Sequence, residues 1–133
     1  MDSANCGLLT DLYQLNMVEA YLEHGVTGTA VFEFFVRDVP EGRNFLIAGG
    51  LEPALDYLEN LRFSGEDLAW LAGTGRFSGE LIDYLRAFRF TGTVHAMPEG
   101  TVFFANEPIL RVTAPLPEAQ MVETRLINLL QFQ

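Results

Sequence analysis

Apolar residues recur at helical spacing near the start of the chain, at Leu12, Leu15, Val18 and Leu22. This stripe predicts an amphipathic helix from Thr10 to about His24, with Thr10 as N-cap, Asp11 facing the positive end of the helix dipole and Gly25 as the stop. Tyr13 and Gln14 stand off the stripe. The pattern then changes to alternation over Thr27–Arg37, a strand with Ala30, Phe32, Phe34 and Val36 on one face. Its other face, Val31, Glu33, Phe35 and Arg37, is mixed. Pro40 and Gly42 break the chain into a loop over Asp38–Asn44. A short apolar run, Phe45–Ala48, leads through Gly49-Gly50 into a helix over Leu51–Leu61.

Two similar pieces follow, R-F-S-G-E-D-L-A-W-L (Arg62–Leu71) and R-F-S-G-E-L-I-D-Y-L (Arg76–Leu85). Ser64 and Ser78 are the expected N-caps of two short helices, each with acid in its first turn. Period-two spacing returns in Arg89–Ala96, Thr101–Ala105 and Ile109–Thr113, a meander of short strands turned at Pro98-Glu99-Gly100 and Asn106-Glu107-Pro108. Pro115 and Pro117 end it. Glu118–Gln133 reads as a last helix with Met121, Val122, Leu126, Leu129 and Leu130 inward. It lacks a stop signal at its end, which is the pattern expected of a piece of a longer protein. The fold class is α/β, more narrowly α+β: helices with a mixed or antiparallel sheet.

Composition narrows the chemistry. At 133 residues and 49% hydrophobic, with eleven Phe, the chain can bury a core. The formal net charge of −10 and the absence of a basic stripe argue against nucleic acid as a partner. All eight basic residues are Arg. Without Lys there is no Schiff base, no P-loop lysine and no lipoyl or biotinyl attachment. The last point removes a carrier reading of the V-H-A-M-P-E-G-T-V hairpin. One Cys, Cys6, and two separated His, His24 and His95, give no zinc pattern. No stretch approaches a membrane span and the start has no signal-peptide pattern, so a cytoplasmic location is expected.

Few side chains stand out as chemistry. His95 lies in a strand with no partner nucleophile or acid and is expected to be a hydrogen-bonded structural residue. Arg37, Arg43 and Arg111 are candidate anion ligands, or simply surface and ion-pair residues. Gly49-Gly50 reads as a tight turn, or as backbone N–H groups open to an anion. No paired carboxylates select a metal or acid–base site. Tyr13 and Gln14, one turn into the first helix, offer an aromatic face and an amide to a ligand or partner; a tyrosine at the edge of a core is the plainer reading.

The L-L-T-D-L-Y-Q-L-N-M stretch (Leu8–Met17) resembles the N-terminal signature of the nicotinate phosphoribosyltransferases. The resemblance continues through Phe32–Glu52 (F-E-F-F-V-R-D-V-P-E-G-R-N-F-L-I-A-G-G-L-E), Met97–Val112 (M-P-E-G-T-V-F-F-A-N-E-P-I-L-R-V) and Glu123–Gln133 (E-T-R-L-I-N-L-L-Q-F-Q). It implies a type II phosphoribosyltransferase, with residues 1–116 as its N-terminal domain and 117–133 as the start of a helix leading to an irregular α/β barrel largely missing here. The implied reaction joins nicotinate to 5-phosphoribosyl 1-diphosphate, coupled to ATP hydrolysis through a phosphorylated histidine and assisted by Mg²⁺. No catalytic or metal-binding residue is expected within this chain; neither His24 nor His95 matches the phosphorylated histidine. The residue that carries over is Tyr13, which the resemblance places on the nicotinate ring of a neighbouring subunit in a homodimer. The related quinolinate enzymes carry Glu-Arg followed by Leu-Asn on the last helix. Glu123 and Asn128 match that pattern, but Thr124 replaces the ligand arginine, and Arg125 lies about 100° around the helix. Two readings follow: part of an NAD-salvage enzyme inactive by itself, or a non-catalytic α/β dimerisation module.

Overall fold

The computed structural model describes residues 6–131. Among the described residues, five helices and five strands follow one another as α1 (Leu12–Glu23), β1 (Thr29–Phe34), β2 (Leu46–Ile47), α2 (Leu51–Asn60), α3 (Gly65–Gly73), α4 (Gly79–Ala87), β3 (Thr93–Ala96), β4 (Val102–Phe103), β5 (Leu110–Pro115) and α5 (Leu116–Gln131). The α+β class is as expected. The elements begin and end within a few residues of their predicted bounds; the last two residues expected in α5 lie outside the described ones.

The meander is wired differently from a simple up-and-down run. β5 is the centre of an antiparallel three-stranded sheet, ordered β1-β5-β3. Phe32 pairs with Val112 and Val94 with Val112 across the two ladders. β4 leaves its sequence neighbours and pairs with β2, Leu46 opposite Phe103. The turns explain the departure. Asn106 takes a positive φ of 66° and donates its N–H to Val36 O, so the chain after β4 is stitched to the end of β1. With Ile109 N–H on Phe34 O, β5 is set beside β1.

The core lies between this sheet and the helices. Val18, Leu61, Leu71, Leu81, Leu85, Met121 and Val122 are fully or nearly fully inaccessible. α5 packs against α1, α2, β1 and β5. Its first turn is buried throughout, from Pro117 to Gln120, and it starts at Leu116 rather than Glu118. Pro117 fits there because a proline in the first turn removes only an N–H that has no helical partner.

Helix starts follow the capping logic. Ser64 accepts from Asp67 N–H while the Asp67 carboxylate accepts from Ser64 N–H, a reciprocal box. Ser78 accepts from Leu81 N–H, and its own N–H is held by Glu19 of α1. At α2 the residue before the helix is Gly50 at φ 89°, a conformation that favours glycine. Its N–H and that of Leu51 donate to the Glu99 carboxylate at 3.0 and 3.1 Å. Gly49-Gly50 is therefore a turn, and the anion at this helix start is the chain's own. α1 departs from expectation: Asp11, not Thr10, is the N-cap, without a side-chain cap bond. Thr10 lies before it, its hydroxyl buried and without a hydrogen-bond partner among the described residues.

Candidate functional site

α1 meets α5 through a set of polar groups beside the apolar core. The predicted stripe on α1 is rotated: Leu15 and Val18 are buried, Leu22 packs at the core edge, but Leu12 is exposed. Gln14 takes the inward place and is completely buried. It faces Gln120, also buried, on α5. The Gln120 amide donates to Gln14 Oε1 and, at 2.9 Å, to Glu123 Oε2. Gln120 Oε1 accepts from Tyr21 at 3.2 Å. Gln14 Nε2 reaches Glu123 Oε2 and the Tyr13 hydroxyl at 2.8 Å each, and Thr124 Oγ1 at 3.0 Å. Thr124 in turn donates to the Asp11 carboxylate at 3.1 Å. Two carboxamides inside a helix interface thus have every polar atom paired, as burial demands.

Tyr13 stands at the rim of this network. Its hydroxyl is tied inward, yet the residue is 48% exposed, so a ring face is open. Such a face suits a flat, electron-poor ring, which stacks well against a phenol.

The other candidates lie apart. His95 is exposed on β3, in register with Arg111. His24 is exposed at the end of α1, its Nδ1 2.9 Å from Ala20 O. Arg111 is committed to Glu33 at 2.7 Å, and Arg37 and Arg43 are exposed near the 38–44 loop. Arg125 is partly buried, and its charge acts on the buried Tyr57. Burial lifts the Tyr57 hydroxyl above the ordinary phenol range and Arg125 opposes this. Tyr84 is lifted too, first by burial and then by the nearby Glu118 carboxylate. Glu118 itself accepts from the Thr91 N–H and hydroxyl. Among the described residues, no group of three or more His, Cys, Asp or Glu is placed to hold a metal ion.

Periodicity alone does not reveal the pairing of Gln14 with Gln120. A signal for it is nevertheless present: Gln14 is one turn before Val18, and Gln120 is one turn after Leu116 and Pro117, so each lies on an apolar face.

A family profile described as the nicotinate phosphoribosyltransferase (NAPRTase) N-terminal domain matches residues 8–131. The chain belongs to the nicotinate phosphoribosyltransferase family. It is 48% identical over 126 residues to a nicotinate phosphoribosyltransferase of Mycobacterium tuberculosis, covering 95% of this chain and 27% of that protein. It is 47% identical over 127 residues to one of Bacillus subtilis, covering 95% and 26%. The crystal structure of human nicotinic acid phosphoribosyltransferase superposes with a TM-score of 0.82 at 35% identity, over 91% of this chain and 25% of that one. A nicotinate-nucleotide pyrophosphorylase of Pyrococcus furiosus shares the fold, with a TM-score of 0.68 at 20% identity. The chain thus spans about a quarter of these family members. No helix among the described residues is long and apolar enough to cross a membrane.

Proposed function

We propose that this chain is the N-terminal part of an enzyme that forms nicotinate mononucleotide and diphosphate from nicotinate and 5-phosphoribosyl 1-diphosphate, with coupled ATP hydrolysis, in cytoplasmic NAD salvage. The observation that carries the reading is Tyr13: within the family's D-L-Y-Q motif, its hydroxyl is tied down and its ring face is open. In this reading the ring stacks on nicotinate in the site of a neighbouring subunit of a homodimer. The phosphate cradle, the Mg²⁺ site and the phosphorylated histidine belong to the remainder of the enzyme. The chain has no Lys, and its described residues form no metal cluster. The purified 133-residue chain is therefore expected to form no nicotinate mononucleotide from the two substrates, ATP and Mg²⁺; product formation above a no-protein control would refute this.

A second reading, a non-catalytic α/β module that only mediates dimerisation, is favoured by exposed apolar residues on both sheets. Val31 and Phe35 by β1, and Ile47, Val102 and Phe104 by β2 and β4, are exposed large apolar residues. Tyr13→Ala in the complete enzyme separates the two. A nicotinate KM raised about tenfold or more, the scale of a lost aromatic stack, supports substrate binding. Unchanged kinetics leave Tyr13 as scaffold.

A further inference from the structure

We infer that Gln14 is a positioning residue, which fixes the direction in which the Tyr13 ring projects by holding its phenol oxygen to α5. The inference rests on the reading of Tyr13 as the stacking face. A half-exposed tyrosine ordinarily swings about its first side-chain torsion, and a ligand that stacks on it must stop that motion. Here the far end of the ring is already held. Gln14 Nε2 donates to the Tyr13 oxygen at 2.8 Å.

The holder is itself immobile. Gln14 is fully buried, and its carbonyl accepts from Gln120 on α5. Turning the amide over would set two N–H groups against each other and leave the Glu123 carboxylate facing a carbonyl. The amide has two hydrogens and three acceptors in reach. The two shortest contacts, 2.8 Å each, go to Tyr13 and Glu123; Thr124 at 3.0 Å is the longest. Because Gln14 supplies the hydrogen, the phenol's own hydrogen stays free to donate outward. Gln120 and Glu123 thus take part in shaping the stacking face without touching what stacks there.

The test uses the complete enzyme. Tyr13→Phe removes only the oxygen at an exposed rim, so folding is preserved. The nicotinate KM should rise about three- to tenfold, the size of one neutral hydrogen bond. Both kcat and the KM for the phosphoribosyl donor should stay within about twofold. Gln14→Met should give the same split, and the double variant Gln14→Met/Tyr13→Phe should be no worse than either single. An unchanged nicotinate KM in Tyr13→Phe overturns the inference whether or not Gln14→Met folds. So does a full Gln14→Met effect in the Tyr13→Phe background, which marks Gln14 as packing alone. Tyr13→Ala keeps the two levels apart. If Tyr13→Ala raises KM and Tyr13→Phe does not, only the positioning role falls. If neither does, the stacking reading falls with it.

Discussion

Replacing Gln120 by Leu keeps the side-chain size and removes both ends of the carboxamide that joins α1 to α5. Gln14 Oε1, fully buried, loses its donor, a desolvation cost of about 1–3 kcal/mol. Glu123 loses one of its two amide donors, but it is only partly buried and water replaces some of the loss. Tyr21 is also partly exposed and finds water. The added apolar surface returns a fraction of this. The net is a destabilisation of about 3 kcal/mol, a sizeable share of the about 5–15 kcal/mol typical of a domain. Urea unfolding followed by circular dichroism reads it directly. With a slope of about 2 kcal/mol/M, the midpoint should fall by about 1.5 M at unchanged slope. Gln14→Leu/Gln120→Leu should lose less than the sum of the two singles, because neither carboxamide is then left facing an apolar partner. A loss under about 0.5 kcal/mol in Gln120→Leu, or simple additivity, would refute the claim that the two amides are mutually required.

Gly92→Ala should lower Tm: an added Cβ would lie 2.6 Å from both Ala114 Cβ and Thr113 O, on the central strand, and overpacking of this kind costs about 1–3 kcal/mol. Ser64→Ala should cost about 1 kcal/mol in the same urea assay, since it opens the reciprocal cap of α3; no change would mean that water caps the helix as well. Alkaline pH should destabilise the fold. Tyr57 ionises near 10.0 when unfolded but stays neutral when folded, so above that pH the unfolded state binds fewer protons and stability falls, by up to about 1.4 kcal/mol per pH unit. Tyr57→Phe should flatten that slope between about pH 10 and 11, and an unaltered slope would place the alkaline transition elsewhere.

Local signals are legible in the sequence because their chemistry is local. Ser64 and Ser78 cap helices, and Gly50 makes the turn before α2, since each satisfies backbone groups within a few residues. What escapes is non-local. Four apolar positions define a helical stripe only to within about one residue's rotation, about 100°. Leu12 thus reads as inward and Gln14 as outward, although an amide can be buried wherever another amide meets it. β4 is two residues long, too short to announce its partner, and its pairing with β2 depends on where Asn106 and Glu99 are anchored. Tyr13 is identified through the D-L-Y-Q resemblance; the hydroxyl tether is visible only in three dimensions.

The junction between β5 and α5 contains no loop. Pro115 is still paired with Thr29, and Leu116, already the first helical residue, donates its N–H to Gly28 O. Such a joint cannot absorb a change in chain length. One inserted residue would swing the whole of α5 by about 100° about its axis. Gln120 and Glu123 would leave Gln14, and Met121 and Val122 would leave the core together. The 38–44 loop carries no such coupling and can lengthen at little cost. Length variation among relatives should therefore gather there and spare the seam at 115–116, where the ruler is the helix itself.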